Sequence, residues 1–193
     1  MKTKHTILCG LFLPLALGTG LTWAAKIDSS WLQVKFTGDS TLHGFSGIVH
    51  RGEAIKLAGD DGHDRVRITV PVLSLDTDHR ARDKRMYTMF EADSFRVITG
   101  EADLEVVLDE HALEVPLIIT MHGVAREVIA RRAAHAAEKV ELELDLALTS
   151  FDLTPPSVLG MIKVDDRVHV AVSLDRNAME ELKQQPAGQK ELN

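Results

Sequence analysis

Two short blocks carry the residue types of a nucleophilic hydrolase: Gly38-Asp39-Ser40, within the stretch FTGDSTLHG (36–44), and Asp166-Arg-Val-His169 near the far end. A serine hydroxyl attacks an ester only when a histidine takes its proton and a carboxylate orients that histidine, so Ser40, His169 and Asp166 form one candidate constellation. Histidines offer a second. Eight follow residue 25, and His43, His50 and His122 are the three that a fold could bring together around a metal ion. Their spacing argues otherwise, since there is no His-x-x-x-His pair, no His-Glu-x-x-His stretch and no cysteine after residue 25 to complete a tetrahedral site. No metal or other cofactor is therefore expected. The paired acids Asp60-Asp61 and Asp165-Asp166 lie beside turn-forming residues and read as turn chemistry.

The hydrolase reading depends on context, and the context is wrong. A GDSL-type esterase resembles an α/β sandwich with its serine on a strand-to-helix turn, whereas Ser40 is followed by Thr41-Leu-His-Gly-Phe-Ser-Gly-Ile-Val49. Glycines at 44 and 47 and the β-branched residues beyond favour an extended chain. The oxyanion glycine and the Gly-x-Asn-Asp stretch of those enzymes have no counterpart here. His169, between Val168 and Val170, falls on the polar face of a regular alternation. A non-enzyme is expected, with the esterase kept as the rival from another class.

The elements that position these residues begin after an export segment. Residues 1–25 carry Lys2 and Lys4, an apolar core from about Thr6 to Leu21, and small residues before Lys26, the pattern of a cleaved secretory signal and too short for a span. Cys9 would leave with it, and periplasmic localisation is expected. Loss of Lys2 and Lys4 takes the formal charge from −7 to −9 over about 168 remaining residues, enough for one domain held by packing alone. An acidic chain argues against nucleic acid, and no stable membrane insertion is expected once the signal is gone. The basic run Arg80, Arg82, Lys84, Arg85 reads as a solvated helix face.

Alternation dominates beyond residue 30. Leu32-Val34-Phe36, Val66-Ile68-Val70-Val72, Val140-Leu142-Leu144-Leu146 and Val168-Val170-Val172-Leu174 each alternate with polar residues. Leu104-Val106-Leu108 and Leu113 to Met121 flank Asp109–Ala112 and read as a hairpin. Weaker strands at 43–57 and 124–131 bring the count to about eight, each with one apolar face, as antiparallel strands have. Pro71 and Pro116 imply an edge, a bulge or a bend. A helix is expected over His79 to Ala92, capped by Thr77 or Asp78, with Met86, Met89 and Phe90 on one face. The connection from Phe151 to Asp166 contains Pro155-Pro156 and reads as a long loop, and a marginal helix over 178–184 precedes a frayed tail.

Four stretches in order carry a family resemblance: Ser40 to Gly47 (STLHGFSG); Ser74 to Asp78 with Arg82-Asp-Lys-Arg-Met86 and Phe90 to Phe95; Leu117 to Val128 (LIITMHGVAREV); and Phe151 to Pro156 with Leu159-Gly160. Over residues 31 to 175 the chain resembles the YceI-like family of exported lipid-binding domains. The resemblance implies a lipocalin-like antiparallel barrel, so the expected fold, with the strand count above, is an all-β, eight-stranded barrel over 26–176 followed by a partly helical or disordered tail over 177–193. It also implies an elongated apolar cavity for a long-chain amphiphile, a polyisoprenoid or a fatty-acid derivative. A short first strand, Arg96 where a proline is common and Ala125 where a threonine is common depart from the family pattern.

Residue types agree with that implication. An eight-stranded barrel just encloses one small ligand, and only seven aromatic residues follow position 25, so its lumen is expected to be incompletely filled. Phe45, Met86, Met89, Phe90, Phe95, Met121, Leu159 and Met161 are the candidate lining residues, with Phe36 and Phe151 assigned to the core. Methionines suit a chain-like guest of variable shape. The reading is a periplasmic binding protein that sequesters or carries such a ligand, as monomer or homodimer. A third reading is an envelope stress or interaction protein whose barrel is packed and empty-handed.

Overall fold

The computed structural model describes residues 31–59, 61–136, 138–158 and 161–187. The expected export segment, Asp60, Leu159 and the end of the tail (188–193) lie outside them. Alternating apolar residues place themselves in strands β1 (Leu32–Ser40), β2 (Phe45–Val49), β3 (Glu53–Ala58) and β4 (Asp64–Pro71), followed by the two-residue β5 (Leu75–Asp76). Helix α1 (Arg80–Met89) comes next, then β6 (Val97–Asp103), α2 (Leu104–Leu108), β7 (Glu114–Met121), β8 (Val124–Ala136) and β9 (Lys139–Ala147). Strands β10 (Ser157–Val158) and β11 (Ile162–Asp175) and helix α3 (Arg176–Gln184) complete the chain. Every strand pairing is antiparallel, in the order β3-β4-β6-β7-β8-β9-β11-β1-β2-β5, with β10 against β11.

Eleven strands, not eight, make this sheet among the described residues. Val97–Asp103 is an unexpected strand that pairs with both β4 and β7: Ile98, Gly100 and Ala102 alternate with Thr99, Glu101 and Asp103, but with Gly and Ala as two of the three the apolar signal is weak. The first strand runs nine residues and is not short. Pro71 supplies the expected bend: a 3-10 turn over Val72–Ser74 breaks the ladder, and the chain re-enters it as β5, on β2. The sheet's two ends are thus joined through the β4–β5 chain. Pro116 is tolerated inside β7 because the β6 ladder covers only Leu117 to Thr120, leaving its missing N–H without a required partner.

The hairpin expected across Asp109–Ala112 is not there. Leu104–Leu108 is helical, because Asp103 caps it, its carboxylate accepting from the amides of Glu105 and Val106 at 2.8 and 3.2 Å. Leu104, Val107 and Leu108 then share one buried face at helical spacing. Helix α1 forms where expected, but its cap is His79, whose Nδ1 accepts from Arg82 N, while Thr77 binds Asp83 instead. The Phe151–Asp166 connection is shorter than its sequence implies, since β11 already begins at Ile162. Asp166 is no turn former: its carboxylate accepts from the Thr149 amide and hydroxyl at 2.8 and 2.7 Å.

Each long strand has a packed end and a hollow end. Leu32 of β1 pairs with Leu174 of β11 at one end and Ser40 with Val164 at the other, about 26 Å away along β1 at roughly 3.3 Å per residue. The first end is sealed by α2 and by α3, where Leu104, Val107, Met179 and Leu182 are at most 2% exposed. Asp175 caps α3 through the Ala178 amide at 3.0 Å, and Lys56 Nζ donates to Lys183 O at 2.7 Å, which fixes the helix across the sheet. No helix among the described residues is long and apolar enough to cross a membrane.

Candidate functional site

Toward the other end, inward side chains stop short of one another. Val34 and Phe36 of β1, Val70 of β4, Ile98 of β6, Ile119 and Met121 of β7, Leu146 of β9, and Val164, Val168 and Val170 of β11 face a common cavity of about 460 Å³. Strands from both ends of the sheet line it, so the sheet curls around it. On β11 the lining from Val164 to Val170 covers about 20 Å, which makes the cavity long rather than round.

Helix α1 lies over this hollow, held by polar bonds more than by packing. Thr77 N and Oγ1 both donate to Asp83 Oδ1, at 3.0 and 2.6 Å, and Tyr87 OH donates to Leu75 O at 2.6 Å. Burial of that phenol, with the nearby Asp83 and Asp76 charges, pushes its pKa above the usual tyrosine value. No residue of α1 is fully buried; Met86 and Met89 are half-buried because they face open cavity, with Phe90 behind them.

Of the expected lining residues, the fold brings together Phe45, Met86, Met89, Phe90 and Met121. Phe95 lies outside the cavity, its ring 4.2 Å from that of His122, and Met161 is exposed beside the mouth, where its carbonyl accepts from Thr41 Oγ1. Leu159 is outside the described residues. Phe151 is core, as assigned; Phe36 is core and cavity wall at once. The branched aliphatic wall was legible as the inward positions of alternating strands. What the sequence reading missed is the mouth: Leu42, His43, His79, Arg82 and Arg85 surround it, and the two arginines are not simply part of a solvated face. Arg82 Cζ lies 5.4 Å from the centre of the Phe45 ring, within cation–π range.

The hydrolytic constellation does not assemble. Ser40 faces the cavity and its hydroxyl donates to His43 O at 2.8 Å, whereas His169 lines a groove on the other face of the sheet and contacts Asp145 at 3.2 Å. Asp166 is engaged by Thr149. Nor do His43, His50 and His122 meet: His50 Nε2 bonds Asp76 at 2.8 Å, which holds that carboxyl below its usual range, and His122 sits on the β7–β8 turn with Nε2 3.5 Å from Glu91. Among the described residues no three potential ligands stand at metal-binding spacing.

A curled antiparallel sheet with a long apolar hollow is what the four sequence stretches implied, and a family model for the YceI-like domain matches residues 25–175. The chain belongs to the YceI-like family. Among curated proteins no sequence matches it. The crystal structure of BcnA from Burkholderia cenocepacia resembles this YceI-like domain at 14% identity and a TM-score of 0.56, over 74% of this chain and 94% of that one. A polyisoprenoid-binding domain from Saccharophagus degradans, implicated in plant cell wall breakdown, is similar at 17% identity and a TM-score of 0.54, over 74% and 91%. At such identities the likeness is one of fold.

Proposed function

We propose that this YceI-like domain binds the apolar chain of a long-chain molecule, a polyisoprenoid or a fatty-acid derivative, in the hollow end of its sheet. It would do so in the periplasm, after export, as a binding protein and not as a catalyst. The observation that carries the reading is the cavity itself: about 460 Å³, elongated, and walled by aliphatic, methionine and phenylalanine side chains. Burying a chain contributes about 0.8 kcal/mol per methylene, so ten give about 8 kcal/mol, comparable to the ~4–15 kcal/mol lost in association. Chain length thus decides affinity, and selectivity for chain type is loose. The polyisoprenoid named for the S. degradans domain is one guest of this chemistry.

A packed, ligand-free barrel would leave no such volume, which argues against the empty-handed alternative. The test is native mass spectrometry of protein purified from an exported preparation, followed by uptake of added long-chain lipid. Bound amphiphile or stoichiometric uptake supports the reading. Absence of both removes it. Esterase activity would show as turnover of short acyl esters lost in Ser40→Ala.

A further inference from the structure

We propose that the guest carries an anionic headgroup, and that Arg82 and Arg85 of α1 hold its oxygens at the cavity mouth. The inference rests on the chain-binding reading above and adds the chemistry of the guest's polar end. No aspartate or glutamate occurs among the described residues lining the cavity, although the chain holds 29 acids against 22 lysines and arginines. Two positive charges stand there instead, Arg82 and Arg85, with His43 and His79 beside them. Asp83, the acid between the two arginines in sequence, does not line the cavity, and its Oδ1 accepts from both the amide and the hydroxyl of Thr77.

Among the described residues no carboxylate pairs with either guanidinium. Arg85 donates to Ala81 O of its own helix at 3.4 Å, and Arg82 is half-buried over the Phe45 ring. Other half-buried guanidiniums here have firm acceptors, Arg67 in Glu101 at 2.7 Å and Arg132 in the Ala112, Val107 and Asp109 carbonyls at 2.8–3.0 Å, whereas no hydrogen-bond acceptor faces Arg82 among the described residues. Arg82 and Arg85 are three residues apart and Met86 and Met89 follow at the same helical spacing, so charge and apolar wall share one face. A chain lying along the methionines brings its polar end to the arginines. Carboxylate and phosphate share the chemistry that would be recognised, two anionic oxygens accepting paired bonds from a planar fork, whereas an alcohol offers one neutral oxygen and no fork.

Equilibrium dialysis of the delipidated protein against hexadecanoate, hexadecyl phosphate and hexadecan-1-ol, each below its aggregation concentration, separates the outcomes. Both anions are expected to bind at least tenfold more tightly than the alcohol. That preference should fall below threefold in Arg82→Gln/Arg85→Gln while affinity for the alcohol stays within threefold of wild type. The exposed Arg85→Gln alone should show part of the loss, and the comparison of the three probes on the wild type requires no variant to fold. Equal binding of alcohol and anions by the wild type, or a preference that survives the double substitution, overturns the headgroup inference and leaves chain binding standing. Binding of none of the three overturns chain binding with it.

Discussion

The ring of Phe45 covers the backbone of Gly38, its partner across β1 and β2, so closely that a Cβ there would lie 2.7 Å from Cζ. The same happens in mirror order between Phe36 and Gly47. The glycine of the Gly-Asp-Ser block is therefore space for an aromatic ring that also carries Arg82, and Ser40 closes the turn that follows. Gly38→Ala is expected to lower stability by about 1–3 kcal/mol through overpacking, read from the urea midpoint. His122 and Gly123, with φ of 52° and 75°, form a two-residue hairpin turn of the kind that matches strand twist. A Cβ on Gly123 would also meet Phe95 at 2.9 Å, so Gly123→Ala should destabilise by at least ~1 kcal/mol. Neither close contact could be read from the sequence, because the ring over Gly38 comes from β2 and the ring over Gly123 from the connection between α1 and β6.

At the scale of elements, the two ends of the strands should answer differently to the same kind of truncation. Leu104→Ala in α2, at the sealed end, is expected to cost about 2–5 kcal/mol, because it opens a cavity in close-packed surroundings. Val168→Ala, which faces space already empty, should cost less than about 1 kcal/mol in the unliganded protein and show its effect in ligand affinity. Chemical denaturation of both variants decides between this picture and a uniformly packed barrel. Misreading Leu104–Leu108 has a physical source: in five residues an alternating and a helical apolar pattern coincide, and only the cap at Asp103 separates them. The β2–β5 closure carries a titratable latch in His50–Asp76. Since the Asp76 carboxyl is held below its usual range, mainly by that bond, its contribution is present at neutral pH and lost as pH falls through the carboxylate range. Being exposed, the pair should give only a small effect: the acid-side slope of the melting temperature should flatten slightly in Asp76→Asn.

For the molecule as a whole, hollowness and stability are linked. On the proposed reading, a sheet whose apolar residues pack against one another at one end and surround a hollow at the other is completed by a guest that binds the folded state alone. A ligand at a hundred times its dissociation constant should stabilise the protein by about 2.7 kcal/mol, seen as a rise in melting temperature that grows with ligand concentration. Met121→Trp, which fills the cavity from β7, should abolish that rise while leaving the fold intact by circular dichroism. A melting temperature indifferent to long-chain lipid in the unmodified protein would contradict the completed-core picture.

The order of residues alone determined that the chain is antiparallel β with a helix before Phe90 and a shorter one near the end, that the alternating Val, Leu and Ile face a common interior, and that Met86, Met89 and Phe90 point there together. These are local facts, set by a period of 2 in strands and 3.6 in a helix. Tertiary structure decided what local periodicity cannot: that the sheet has eleven strands broken at Pro71, that α2 and α3 plug one end, and that α1 carries its arginines to the rim of the other. Whether an inward valine meets a neighbour or an empty volume depends on how far the curled sheet keeps its walls apart, a distance no single strand encodes.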